Sequence, residues 1–254
     1  MYAIALRSLP PADPPQVQAL AGALGTTAYE ARARLMVPGG GPAVVARVPD
    51  GAAASALATR LRAAGFVPLV VDTATMSTAA TRFATRRLGW DARMLLVTDR
   101  AGHERQVAWG DIRLIVRATG IHTGEVTETQ TQRKFSAGRA MLTGGLMLTK
   151  KQTTSTTHAT EDWQAFMVVY PSAGSPIEIQ ELETLYEGPD APPQPTRQAT
   201  FMHILQHLRT ACPQAAYHDA LMRRAGQLQL LGPTLAPEQY LDVALALVEA
   251  AHRT

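Results

Sequence analysis

Between Arg82 and Gln180 the chain offers short apolar runs separated by turn residues, with no long helical pattern between them. "ARMLLVTDRAGHERQVAW" places two such runs around Asp99-Arg100-Ala101-Gly102, the residue types that close a tight hairpin. "DIRLIVRATG" alternates Ile112, Leu114 and Val116 with Arg113 and Arg117, which predicts a strand with one buried and one basic face. "WQAFMVVY" and "SPIEIQEL" form a second hairpin across Pro171 to Gly174. Parallel neighbours need a long crossover, so consecutive hairpins predict an antiparallel meander or small barrel and argue against a nucleotide-binding α/β sheet.

Residues 1–73 read differently. "YAIAL" is a short strand, followed by a proline-rich connection from Pro10 to Pro15. Val17, Leu20 and Leu24 share one face of a helix that stops at Gly25. Thr27 and Glu30 have the spacing of a capping box and open a second helix through Leu35. "AVVARV" is a buried strand, Asp50 caps a third helix over 52–64, and Gly65 ends it before the strand "FVPLVV". The order is β-α-α-β-α-β. With "YEARARL" on the second helix, it resembles the C-terminal domain of the bacterial ribosomal stalk protein, a fold shared with the ClpS adaptor. That resemblance implies docking or adaptor use. The family's lysine-rich motif is not reproduced; Tyr29, Arg32 and Arg34 stand in its place.

After the strands comes "TRQATFMHILQHLRTAC", with Phe201, Ile204, Leu205 and Leu208 at helical spacing. Strands closed by one amphipathic helix, together with the "VAWGDIRLIVR" stretch, resemble bacterial pleckstrin-homology-like domains. That resemblance implies binding of phospholipid headgroups or peptides, not catalysis. Beyond Pro213, "YHDALMRRAGQLQLL" predicts another helix, and "PEQYLDVALALVEAAH" a clearer one with Leu241, Ala244, Leu245 and Val248 as its apolar stripe. The predicted fold is therefore α+β: a βααβαβ module over 1–73, an antiparallel β module over 82–210 with its closing helix, and a helical extension over 211–254.

Two hundred and fifty-four residues with a 46% apolar fraction can build a sizeable core. No run of eighteen apolar residues is present, the first fifteen residues read as a strand and not a signal peptide, and Cys212 is the only cysteine. These features predict a cytoplasmic location and no intrachain disulfide. The net charge of +3 hides a marked asymmetry. Arg82 to Lys151 carries thirteen Lys/Arg against six Asp/Glu, whereas 152–191 carries seven acids and no Lys/Arg. Either the two blocks face each other within the fold, or the basic block meets an anionic partner.

The segment that no core pattern absorbs is "GRAMLTGGLMLTKKQTTSTT", residues 138–157. Threonine-rich flanks favour extended chain with little to bury and can pair as a ribbon. Its tip would carry Met141, Leu142, Leu146, Met147 and Leu148, ringed by Arg133, Lys134, Arg139, Lys150 and Lys151. Those apolar residues can fold back into the core. Alternatively they form a surface for a protein partner, a second copy of the chain, or an anionic membrane. We expect a non-catalytic adaptor or scaffold using this segment, with peripheral membrane binding as the alternative.

Chemistry-bearing motifs are sparse. "TGGLMLTKK" lacks the spacing of a phosphate-binding loop. His203 and His207 lie four apart on one helix and are weak metal candidates, with Cys212 and His218 able to complete a site, so an enzyme or metal protein is the third reading. The acidic pairs Glu161-Asp162 and Glu181-Glu183 read as a solvated face. No cofactor is expected. Nucleic-acid binding through Trp90, Trp109 and Tyr170 is disfavoured, since Trp109 falls where a strand core is expected.

Overall fold

The computed structural model describes residues 1–37, 42–135, 149–187, 195–223 and 240–253. The protein is α+β, and it forms two compact units: a main body of 1–120 and 165–254, and a second unit of 121–164.

The main body begins with β1 (Tyr2–Leu6), α1 (Pro14–Leu24), α2 (Ala28–Leu35), β2 (Ala43–Val48), α3 (Gly51–Ala63) and β3 (Pro68–Asp72). Local chemistry sets these boundaries. Asp13, Thr27 and Asp50 each accept a backbone N–H at a helix start, and Glu30 returns the bond to Thr27 N to complete its capping box. Gly25 ends α1 at φ 68°, a left-handed conformation that favours glycine. The sheet order is β2-β1-β3, with both neighbours antiparallel to β1. One face, through Ile4, Leu6 and Val45, packs on the three helices. The other, through Ala3, Ala5, Val44, Leu69 and Val71, belongs to a different core.

Next come β4 (Phe83–Ala84), β5 (Arg87–Trp90), β6 (Met94–Thr98), β7 (Glu104–Ala108), a 3-10 turn (Trp109–Asp111), β8 (Ile112–Phe135), β9 (Thr149–Pro171), β10 (Ile177–Gln180) and β11 (Leu185–Tyr186). The chain closes with α4 (Arg197–Ala211), β12 (Ala216–Leu221) and α5 (Tyr240–His252). The strands form a four-stranded sheet, β11-β5-β6-β7, and a five-stranded sheet, β12-β8-β9-β10-β4. Both expected hairpins are present, β6 with β7 and β9 with β10. Asp99 turns the first by accepting from the N–H groups of Ala101 and His103, and Gly102 takes φ 88°.

Four expectations need correction. The β module is mixed, not purely antiparallel: β4 joins β10, β11 joins β5 and β12 joins β8, each in parallel. These three pairs link segments distant in sequence, which hairpin logic does not see. The first part of the helix expected beyond Pro213 is instead β12, because Ala216, Tyr217 and His218 align with Leu114, Ile115 and Val116 on the open side of β8; its remainder, 224–231, lies outside the described residues. β8 does not have one apolar and one basic face. Ile115 is as buried as Leu114 and Val116, since both faces of the five-stranded sheet are covered. Trp109 lies in the 3-10 turn and is half-buried, donating its indole N–H to Asp91 O at 3.3 Å.

Alternation along β9 shows how the layers stack. Met167 and Val169 face a core built with α4 and the four-stranded sheet, where Phe201, Ile204, Leu205 and Leu208 fill the space between the sheets. Phe166, Val168 and Tyr170 face the other way, onto α5. That helix has no exposed residue from Tyr240 to Ala251. Its residues join the second face of the N-terminal sheet to the five-stranded sheet in one continuous core. The C-terminal stripe thus finds its partners within the same chain. Arg7 reinforces the arrangement by donating to Ala251 O at the end of α5.

Candidate functional site

The basic-apolar segment singled out from the sequence joins the ends of β8 and β9. Arg133, Lys134, Lys150 and Lys151 fall on the backbone of these strands. Arg139, Met141, Leu142, Leu146, Met147 and Leu148 lie outside the described residues. β8 and β9 are hydrogen-bonded neighbours, so the two threonine-rich flanks belong to one sheet.

His203 and His207 lie on the face of α4 that meets Trp90. His207 stacks on Trp90 at 3.9 Å between ring centroids and 8° between planes, and Trp109 and Tyr186 pack edge-on around the two imidazoles. This is an aromatic joint between α4 and the strand layer. Cys212, the C-cap of α4, is buried in the adjoining core, and burial pushes its thiol up to about 11, so it stays protonated at neutral pH. His218 stands on β12 and meets His252 of α5, with ring centroids 6.1 Å apart. Among the described residues no group of three metal-ligating side chains comes together. Trp90 and Tyr170, which a base-stacking platform would need exposed, are 6% and 2% accessible.

The opposite charge blocks pair with each other, once in the interior and otherwise at the surface, and α5 supplies two further carboxylates. Arg82 is buried and donates to Glu178 at 2.6 Å and to Asp242 of α5 at 2.8 Å. Burial alone would lower the Arg82 pKa, but the two carboxylates outweigh it and hold it above its ordinary value. Arg100 pairs with Glu183, and Arg87 reaches Glu187 at 3.6 Å. Arg113 pairs with Glu249, which also takes Arg253 at 2.8 Å. The guanidinium of Arg113 lies 5.5 Å from the centre of the Tyr170 ring, and burial followed by the Glu249 charge raises the Tyr170 pKa. These pairs span 96 residues between Arg82 and Glu178 and 160 between Arg82 and Asp242, so no local motif announces them. The charge asymmetry signals the pairs with Glu178, Glu183 and Glu187 but not those with Asp242 and Glu249, which lie outside the acidic block.

A cleft of about 880 Å³ runs beside Tyr2, Asp72, Met76, Tyr170, Arg113 and Glu249. A groove of about 660 Å³ follows β2, lined by Leu24, Thr26, Arg34, Ala46, Arg47 and Val48. Sequence reasoning missed the groove, because its two sides come from separate elements. No helix among the described residues is long and apolar enough to cross a membrane. No family model, curated protein or solved structure matches this chain.

Proposed function

We propose that this protein is a non-catalytic adaptor that engages a protein partner, or a second copy of itself, through residues 133–151. What supports the reading is the extent of β8 and β9. They run for 24 and 23 residues, whereas strands in globular sheets usually span about 3–10. The main body uses them only up to Gly120 and from Ala165 onward; the remainder forms the separate second unit. Arg133 and Lys134 stand near the end of β8 and Lys150 and Lys151 near the start of β9, two threonine-rich strands that are neighbours in one sheet. The apolar residues 141–148 are strung between these cations. Basic groups around methionine and leucine suit an adaptable apolar contact with an acidic rim on the partner.

The chemistry of the main body is consistent with a scaffold. Its buried and half-buried ion pairs tie α5 to β8, β10 and the segment before β4, and its lone thiol is held protonated. Two sheets closed by α4 are compatible with a pleckstrin-homology-like module, and the β2-β1-β3 sheet under three helices with a stalk-protein or ClpS-like one.

The test is light scattering of wild type and Met147→Asp, run beside vesicle co-sedimentation with and without anionic lipid. Wild type that assembles, alone or with a captured partner, and a variant that does not, support the reading. Equal masses for both proteins with no partner lost refute it. Sedimentation that depends on anionic lipid and is abolished by Lys150→Glu/Lys151→Glu replaces it with a membrane surface.

A further inference from the structure

We propose that β9 recognises its own copy: residues 150–162 of two chains pair edge to edge and antiparallel, with Thr156 on the two-fold axis. The inference rests on the reading above, that residues 133–151 belong to an interaction surface, and it commits that surface to a second copy of the chain.

β9 runs unbroken from Thr149 to Pro171. Its sheet neighbours are β8 and β10, and the register with β10 covers Phe166 to Val169. The stretch 150–162 falls instead within the separate unit of 121–164. There, among the described residues, β8 is its one strand neighbour. A strand paired on one side offers backbone N–H and C=O groups on the other, which a strand of another chain can satisfy.

Charge selects the occupant. Residues 150–162 read "KKQTTSTTHATED", with cations at the first two positions and carboxylates at the last two. Laid antiparallel on its own copy about Thr156, the strand sets Lys150 opposite Asp162 and Lys151 opposite Glu161. The two-fold axis repeats both pairs at the other end. Successive residues belong to opposite faces, so each face of the joined sheet receives one pair of unlike charges at each end. The positions between are mostly threonine, which suits extended chain. Parallel pairing in register would set like charge on like. β8 has no equivalent, because no one antiparallel register places both Glu125 and Glu128 opposite Arg133 and Lys134. In both strands the cations lie toward the 136–148 connection and these carboxylates toward the main body, so it is an inverted second copy that brings unlike ends together.

The experiment is sedimentation equilibrium of the full chain over a concentration series. Wild type is expected to dimerise, with a dissociation constant that rises with salt. Lys150→Glu/Lys151→Glu makes all four charged positions acidic, and Glu161→Lys/Asp162→Lys makes all four basic. Each variant alone opposes like charges and should dimerise roughly tenfold more weakly or worse. An equimolar mixture of the two should pair, and the variant carrying all four changes should recover the wild-type constant. Hydrogen exchange on the wild type should show amides within 150–162 gaining protection as protein concentration rises, a readout that stands even if a variant fails to fold. Wild type that stays monomeric, folded variants that dimerise like wild type, reversed variants that do not pair when mixed, or amides at 150–162 indifferent to concentration overturn the proposal. A dimer lost in Met147→Asp but indifferent to both charge reversals overturns it while leaving the reading of 133–151 in place.

Discussion

Leu245 gives the most direct probe of how the main body is held together. It is 1% accessible, on a helix whose neighbours are the N-terminal sheet on one side and the five-stranded sheet on the other. Leu245→Ala removes three carbons from a site with no route to solvent, and buried Leu→Ala changes cost about 2–5 kcal/mol. For a chain of this size each kcal/mol shifts Tm by about 2–4 °C, so the melting point should fall by roughly 4–20 °C. The distribution of the loss is the sharper test. Because α5 shares one core with Ala3, Ala5 and Val71 as well as with Val116 and Val168, both regions should lose stability together. Native-state hydrogen exchange followed on peptides from β1 and from residues 165–171 of β9 reads this directly. A parallel fall in opening free energy in both is expected. If β1 keeps its wild-type protection while residues 165–171 lose theirs, α5 does not couple the two sheets and the reasoning fails.

Other consequences can be checked singly. Arg82→Met strands Glu178 and Asp242 without their cation and should cost about 3–5 kcal/mol by denaturant titration. The triple variant Arg82→Met/Glu178→Met/Asp242→Leu should recover much of that, and equal loss in both would show that the carboxylates do not need Arg82. His218 is held below its ordinary value of 6.5 by burial and by His252, with Asp219 acting weakly the other way. The unfolded chain thus binds this proton more readily than the fold does. The associated stability is present above about pH 6.5 and is lost as pH falls through the lower folded value. His218→Gln should flatten that acid limb, and a limb unchanged in the variant would assign it elsewhere. The Cys212 thiol, raised to about 11, should react with a disulfide reagent at pH 7.5 far more slowly than a free cysteine does. Reaction at the free-thiol rate without unfolding would contradict its burial.

What the sequence discloses here is what is local. Thr27 with Glu30, Asp50, Gly25 and the Asp99 turn are satisfied within a few residues, so they can be read without knowing the fold. The hairpins follow for the same reason, and so does the buried face of α4. The parallel pairings do not. "AYHDAL" has no strand signature of its own; it becomes β12 because β8, about a hundred residues earlier, presents a partner. The α5 pattern suggests one apolar stripe, yet no residue from Tyr240 to Ala251 is exposed, since small residues such as Ala244 and Ala251 are buried only by what approaches them. His203 and His207 have metal-ligand spacing, but that spacing also places two imidazoles against one indole, and the strand carrying Trp90 supplies it. The candidate segment was legible through composition alone: five apolar residues among five cations, between flanks with nothing to bury.

Limited trypsin cleavage of the native protein tests that segment most directly, with cut sites identified by mass spectrometry. If residues 133–151 serve as a docking surface, Arg139 and Lys150 should be cut before any site in the main body. That cutting should slow when the protein is concentrated enough to assemble or is mixed with its captured partner. Cleavage at these residues only after the main body unfolds, or at a rate no assembly changes, would contradict the account.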